Sequence, residues 1–181
     1  MLVFDGHLDL AWNALQWNRN IQQSVYTLRT QEAGLVGKGR GQNTVALPEM
    51  RRGNVFLSFA TLLARSTPVQ VPHVDFNSPA QAFASAQGQL AWYLAMERLG
   101  ELVVITSLEQ LEAHVQCWSE HQLAGNDRVT APPGIIPCME SADPILEPED
   151  LLHWRDAGIR LIGPAHYGSG RYAGGTGVEE G

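Results

Sequence analysis

Cysteine is scarce. Two in 181 residues cannot build a disulfide framework, and Cys117 and Cys138 fall in a predicted helix and a predicted strand rather than in a paired zinc knuckle. Free thiols in a reducing cytoplasm are the expectation. Charge is sparse too: charged residues are 17% of the chain, and twelve Lys plus Arg against nineteen Asp plus Glu leave a net charge of -7. Nucleic acid and anionic membrane need a cationic surface, so neither is expected as a partner. The opening MLVFDGHLDLAW lacks the basic stretch and apolar core of a signal peptide. No apolar run approaches the roughly 18 residues of a membrane span. A His-x-His pair, as a single-metal amidohydrolase would need, is absent as well. What remains is a chain with 44% hydrophobic residues, enough for a sizeable core, read as a single domain over residues 1–181.

The order of elements follows from hydrophobic patterning. Leu2 to Phe4 begins a strand whose carboxyl end reaches polar residues. Asn18 to Gly53 is polar and glycine-rich, an excursion with at most a short helical turn after Pro48. Asn54 to Ala64 is a nearly continuous apolar run, as in a strand covered on both faces. Ser78 and Pro79 start a helix that runs to Gly100, with Phe83, Ala86, Leu90 and Leu94 on its buried face. Leu102 to Thr106 is a third strand, and Ser107 with Gln110 forms a capping box for a helix through about Trp118. After the turn-rich GNDRVTAPPG, a fourth strand runs from Ile135 to Glu140. Pro148 opens a helix that Gly158 stops, and IRLIG is a fifth strand. Strands alternating with helices indicate a parallel α/β sheet.

In parallel α/β folds chemistry gathers at the carboxyl ends of strands. His7 and Asp9 end the first strand, Glu140 ends the fourth and His166 follows the fifth, so all four face one rim. Strand residues two apart share a face, at roughly 6 to 7 Å, a gap that an imidazole and a carboxylate can span around one zinc ion. Glu140 is the natural third ligand, with a second oxygen free to bridge to another ion. A His-x-Asp pair alone is weak, with roughly 0.2 matches expected by chance, and its alternative is a helix or strand cap. A second copy, His73 and Asp75, sits in a loop-like stretch and is read as solvated surface.

At these residues the sequence resembles the membrane dipeptidase (renal dipeptidase) family of zinc metallopeptidases. DGHLDLAW at 5–12 resembles the family's opening motif, MESADPI at 139–145 the strand end with the bridging glutamate, and AGIRLIGPAHYGSGRYAGGTG the segment with its substrate-contacting histidine. The three blocks occur in the family's order. The resemblance implies a (β/α)8 TIM-like barrel of the metal-dependent hydrolase type, of which this chain supplies about the first five strands, as its amino-terminal portion. It implies two zinc ions, His7 and Asp9 on the first and Glu140 on both, and a zinc-activated hydroxide that cleaves dipeptides. His166 would contact the substrate carbonyl and stabilise the developing negative oxygen. The family takes its second-zinc histidines and its carboxylate-clamping arginine from later strands. The 181 residues by themselves are therefore expected to bind one zinc at most and to hydrolyse no dipeptide. A non-catalytic barrel portion, acting as a binding or assembly module, is the alternative. A homodimer is the assembly this reading admits.

Other residues invite chemistry less strongly. His114, Cys117 and His121 share a helical face and could present zinc ligands, or form a plain helix face with a buried thiol. His153 reads as a surface residue. The glycine clusters at 37–41 and 168–175 fit no phosphate-binding spacing and read as flexible rim loops. Arg171 and Tyr172 either point into the site as substrate-binding residues or lie in a disordered tail.

Overall fold

A computed structural model describes residues 1–68, 70–72, 74–123 and 131–178. His73 and most of the turn-rich segment before the fourth strand lie outside the described residues. The chain runs β1 (Val3–Leu8), α1 (Leu10–Gln16), α2 (Val25–Gln31), α3 (Leu47–Arg52), β2 (Val55–Leu62), α4 (Pro79–Arg98), β3 (Val103–Val104), α5 (Leu108–Leu123), β4 (Gly134–Met139), a 3-10 turn (Pro148–Asp150), α6 (Leu151–Asp156) and β5 (Leu161–Ile162). All strand pairs are parallel. The result is the curled parallel sheet of a partial βα barrel, with the five strands anticipated.

The sheet order is β1-β2-β4-β3, with β5 also on β4. β4 lies against β2 along its whole length, Leu57 opposite Gly134 and Leu62 opposite Met139. Its other edge is shared: β3 takes Gly134 and Ile135, and β5 takes Cys138 and Met139. A strictly sequential winding would place β3 between β2 and β4. Instead β3 is two residues long, because the capping box of α5 begins three residues beyond it. The Ser107 hydroxyl accepts from the Gln110 amide, and the Gln110 side chain accepts from that of Ser107. Level ends on β2 and β4 bring Asp9, Thr61 and Glu140 to one rim.

Helix α4 packs through a different stripe from the one its apolar residues suggest. Ala82, Ala86, Gln89, Leu90, Tyr93 and Met96 are buried, while Leu94 is exposed and Phe83 only partly covered. Two polar residues face inward because each finds backbone partners. Gln89 donates to the Leu63 carbonyl and accepts from the Leu63 amide. The Tyr93 hydroxyl donates to the Thr61 carbonyl and accepts from the Ala11 amide. Its caps are as expected: the Ser78 hydroxyl accepts from Gln81, and Pro79 stands in the first turn. Gly158 closes α6 at φ +109, a backbone region in which a side chain would be strained.

The excursion holds more structure than its composition suggests. α1 follows β1 at once and buries Leu10 and Ala11, and α2 is capped by Ser24, which accepts from the Thr27 amide. Buried polar side chains hold the loops between them. Glu32 accepts two hydrogen bonds from Arg19 and one from Arg40, and a further one from the Gly41 amide. Arg40 also lies over the Trp17 ring at 4.5 Å and donates to the Trp17 carbonyl. The 37–41 glycine cluster is thus tied to the core by ion pairs. In the sequence these inward-facing charges look like surface residues, which is why the polar stretch reads as loop.

Candidate metal centre

A register shift between Asp5 and Leu8 interrupts the pairing of β1 with β2. Such an irregularity re-aims the side chains beside it, and here it lies at His7, just ahead of Asp9. Asp9 occupies the residue before α1, yet its carboxylate makes no capping hydrogen bond. The cap reading of the His-x-Asp pair therefore fails for Asp9. Its Oδ1 instead accepts a hydrogen bond from the Thr61 hydroxyl. Thr61 is in turn fixed through its carbonyl by Tyr93. A fully buried tyrosine, a strand threonine and the aspartate form one chain of contacts.

Glu140 stands one residue beyond β4 and meets this pair. His7 Nε2 lies 3.5 Å from Asp9 Oδ1 and 3.5 Å from Glu140 Oε2. One ligand atom from each of the three lies within 4.8 Å of the others. Two donors held about 2.1 Å from a tetrahedral ion stand about 3.4 Å apart, so this spacing fits a single cation. The electrostatics agree. Glu140 Oε2 is buried without a hydrogen-bond partner among the described residues. Burial, followed by the negative charge of Asp9, holds the Glu140 carboxyl well above the usual carboxylate range. A cation between the three would satisfy the orphaned oxygen and offset the repulsion. Beneath them, burial and then the same two carboxylates push the Cys138 thiol up to about 12.

His166 joins from the loop after β5, its Nε2 2.7 Å from Glu140 Oε1. Burial, then the Arg65 guanidinium, lowers its pKa. Arg171 and Tyr172 lie apart from this cluster. The Arg171 amide donates to Asp143, its guanidinium donates to the Ile145 carbonyl, and the Tyr172 hydroxyl donates to the same carbonyl. Their polar groups pin the 168–175 segment to the loop after β4. Beside His166 a pocket of about 420 Å³ is lined by Arg65, Thr67, Val71, Tyr167 and Ser169 among others.

Three residues of the site were missed by sequence reasoning. Thr61 and Tyr93 carry no motif. Arg65 follows the apolar run of β2 at the same rim, and the strand-end rule could have found it. Asp75 needs correction: it is not solvated surface, since its side chain is fully buried in an ion pair with Arg65. An adjacent positive partner repays the burial of its charge. Among the described residues the His114 face forms no metal group. His114 is buried and bonded to the Phe56 carbonyl, which leaves its pKa lowered by burial. Cys117 on that face is exposed, and the buried thiol is Cys138. His153 is exposed, as expected, and contacts Gln87.

No protein-family model matches the chain, and no curated protein matches it. Solved structures do. The dipeptidase AC, a metallopeptidase of family M19, is 25% identical with a TM-score of 0.59, over 91% of this chain and 43% of its own. A metallopeptidase from Rhodobacter sphaeroides, liganded with a phosphinate mimic of the dipeptide L-Ala-D-Ala, is 22% identical with a TM-score of 0.58, over 91% and 45%. The probable dipeptidase PvdM from Pseudomonas aeruginosa is 16% identical with a TM-score of 0.60, over 96% and 37%. The chain spans less than half the length of each. No helix among the described residues is long and apolar enough to cross a membrane. The resemblance to the dipeptidase family of metallopeptidases is thus borne out in three dimensions, over nearly all of this chain and a portion of theirs.

Proposed function

We propose that the chain provides the first-metal side of a metallodipeptidase site, with His7, Asp9 and Glu140 as ligands to zinc. The observation that carries this reading is the orphaned, buried Oε2 of Glu140 within 3.5 Å of His7 Nε2, in a fold like that of dipeptidases. Bound there, zinc would supply Lewis acidity, polarising a carbonyl and acidifying water. Glu140 Oε1 lies 2.7 Å from His166 Nε2, and in a two-zinc site Glu140 would also help to hold the second ion.

The chain's own residues have separable tasks. Thr61 orients Asp9, and His166 donates a hydrogen bond to the substrate carbonyl, a bond that strengthens as that oxygen becomes negative. Arg171 and Tyr172 serve the substrate side by fixing the rim loop after β4. The substrate class is dipeptides of the Ala-Ala kind, including those with a D-residue at the carboxyl terminus, as the mimic bound to the Rhodobacter sphaeroides metallopeptidase suggests. Two free cysteines suit work in the cytoplasm.

Calorimetric titration with zinc tests the ligand set. One zinc should bind, and Glu140→Gln should weaken it by well over about tenfold, the scale on which even indirect partners of a metal act. Equal affinity in the variant would remove Glu140 from the site. The alternative, a barrel portion that binds or assembles without turnover, draws on the chain's spanning only 37% to 45% of its neighbours. The same titration separates the two, since a portion that only binds or assembles should take up zinc no differently after Glu140→Gln, and release of alanine from L-Ala-D-Ala by the 181 residues would overturn the expectation that turnover needs later strands.

A further inference from the structure

The tautomer of His166 is set by its neighbours. A guanidinium N–H of Arg65 lies 3.0 Å from His166 Nδ1. Arginine offers donors only, so Nδ1 must be the acceptor and carries no proton. The single proton of a neutral imidazole then sits on Nε2, which is 2.7 Å from Glu140 Oε1 and donates to it. A doubly protonated ring, or the opposite tautomer, would set one N–H against another at Arg65.

Arg65 cannot turn aside to relieve such a clash. Asp75 accepts from its Nε at 2.7 Å and from its second terminal nitrogen at 3.0 Å, and the Asp75 side chain is fully buried. The backbones are paired as well, with the Phe76 amide donating to the Arg65 carbonyl at 2.7 Å. A planar fork gripped at two points by a buried carboxylate has one orientation.

A histidine that binds a metal through Nε2 must give up the proton there and carry it on Nδ1. Arg65 blocks that position. We propose that Arg65, locked by Asp75, is a positioning residue that keeps His166 an Nε2–H donor and holds it out of the metal's ligand shell. His166 is thereby reserved for an oxygen of the substrate. This rests on the reading of His7, Asp9 and Glu140 as the metal group.

Nitrogen-15 NMR of the histidine rings in the full chain tests it, in mildly alkaline buffer, without and with zinc, with His166 assigned through His166→Gln. The zinc-free spectrum should show His166 with a protonated Nε2 and a pyridine-like Nδ1. Zinc should shift the His7 ring and leave the His166 tautomer unchanged. Arg65→Met should give a mixture of tautomers, and Arg65→Lys, which keeps a donor but loses the two-point grip of Asp75, should restore the single one only in part. A protonated Nδ1 in the unsubstituted chain, or metal coordination by His166, would overturn the proposal. Should zinc shift no ring at all, the metal reading fails, while the zinc-free spectrum still decides the tautomer. If Arg65→Met does not fold, Arg65→Lys decides: a tautomer as uniform as that of the unsubstituted chain would overturn the role of the locked guanidinium.

Discussion

The hydroxyl of Thr61 donates to Oδ1 of Asp9, across the gap between β2 and the first residue beyond β1. This contact orients a carboxylate that would otherwise be free to cap α1, and it does so from a strand whose position is set by its apolar run.

Thr61→Val keeps the shape and β-branching of the side chain and removes only the hydroxyl. The fold should persist, because Thr61 keeps its backbone bond to Tyr93. Zinc affinity should fall about tenfold, within the range found for partners of metal ligands. Calorimetry alongside circular dichroism reads both quantities. Unchanged affinity in the folded variant would show that Asp9 needs no orientation.

Tyr93→Phe acts one step further out. The hydroxyl bridges the Ala11 amide and the Thr61 carbonyl inside the core, so its loss leaves two backbone groups without that partner. Destabilisation of about 1 to 3 kcal/mol is expected. Urea denaturation of both proteins measures it, and a change below about 0.5 kcal/mol would assign the bridge no structural weight.

Much of the fold and the grouping of the candidate site was legible for one reason: a parallel sheet writes its strands as apolar runs and leaves polar residues just beyond them. β2, β4 and the placement of His7, Asp9 and Glu140 follow from that rule. What stayed hidden was polar and buried. Arg19, Glu32 and Arg40 interlock through pairings between residues well separated in the chain, and no local period marks them. Asp75 looked like loop surface because its partner, Arg65, lies ten residues away in sequence. The two-residue β3 reflects competition from a helix cap, which shortens a strand without altering its apolar signal.

The Glu32 cluster predicts a pH dependence of stability. Hydrogen bonds from Arg19, together with those from Gly41 and Arg40, hold the Glu32 carboxyl down to about 2, against an opposing effect of burial. A folded-state pKa below the unfolded one means that the stabilisation is complete above the unfolded value, about 4.3, and is lost as pH falls through about 2. Its size is on the order of a few kcal/mol. Glu32→Gln should flatten the loss of stability across that acid window, as read by denaturant titration at several pH values. An equally steep fall in the variant would place the acid sensitivity elsewhere.

Gly134 marks where β3, β4 and α5 converge, and there a side chain has no room. A Cβ on this residue would stand 2.5 Å from His114 Nε2 and 2.8 Å from Ile105 Cδ1. His114 cannot easily retreat, since its Nε2 is held 2.7 Å from the Phe56 carbonyl and its ring stacks on Phe56. Gly134→Ala should therefore force the ring out of that bond or push α5 away from the sheet. Overpacking of this kind costs about 1 to 3 kcal/mol. The companion change His114→Ala opens the space, so the double variant should lose less than the sum of the two single ones. Thermal unfolding of all four proteins checks the cycle: strict additivity would mean that the helix shifts as a body and the histidine is not the obstacle.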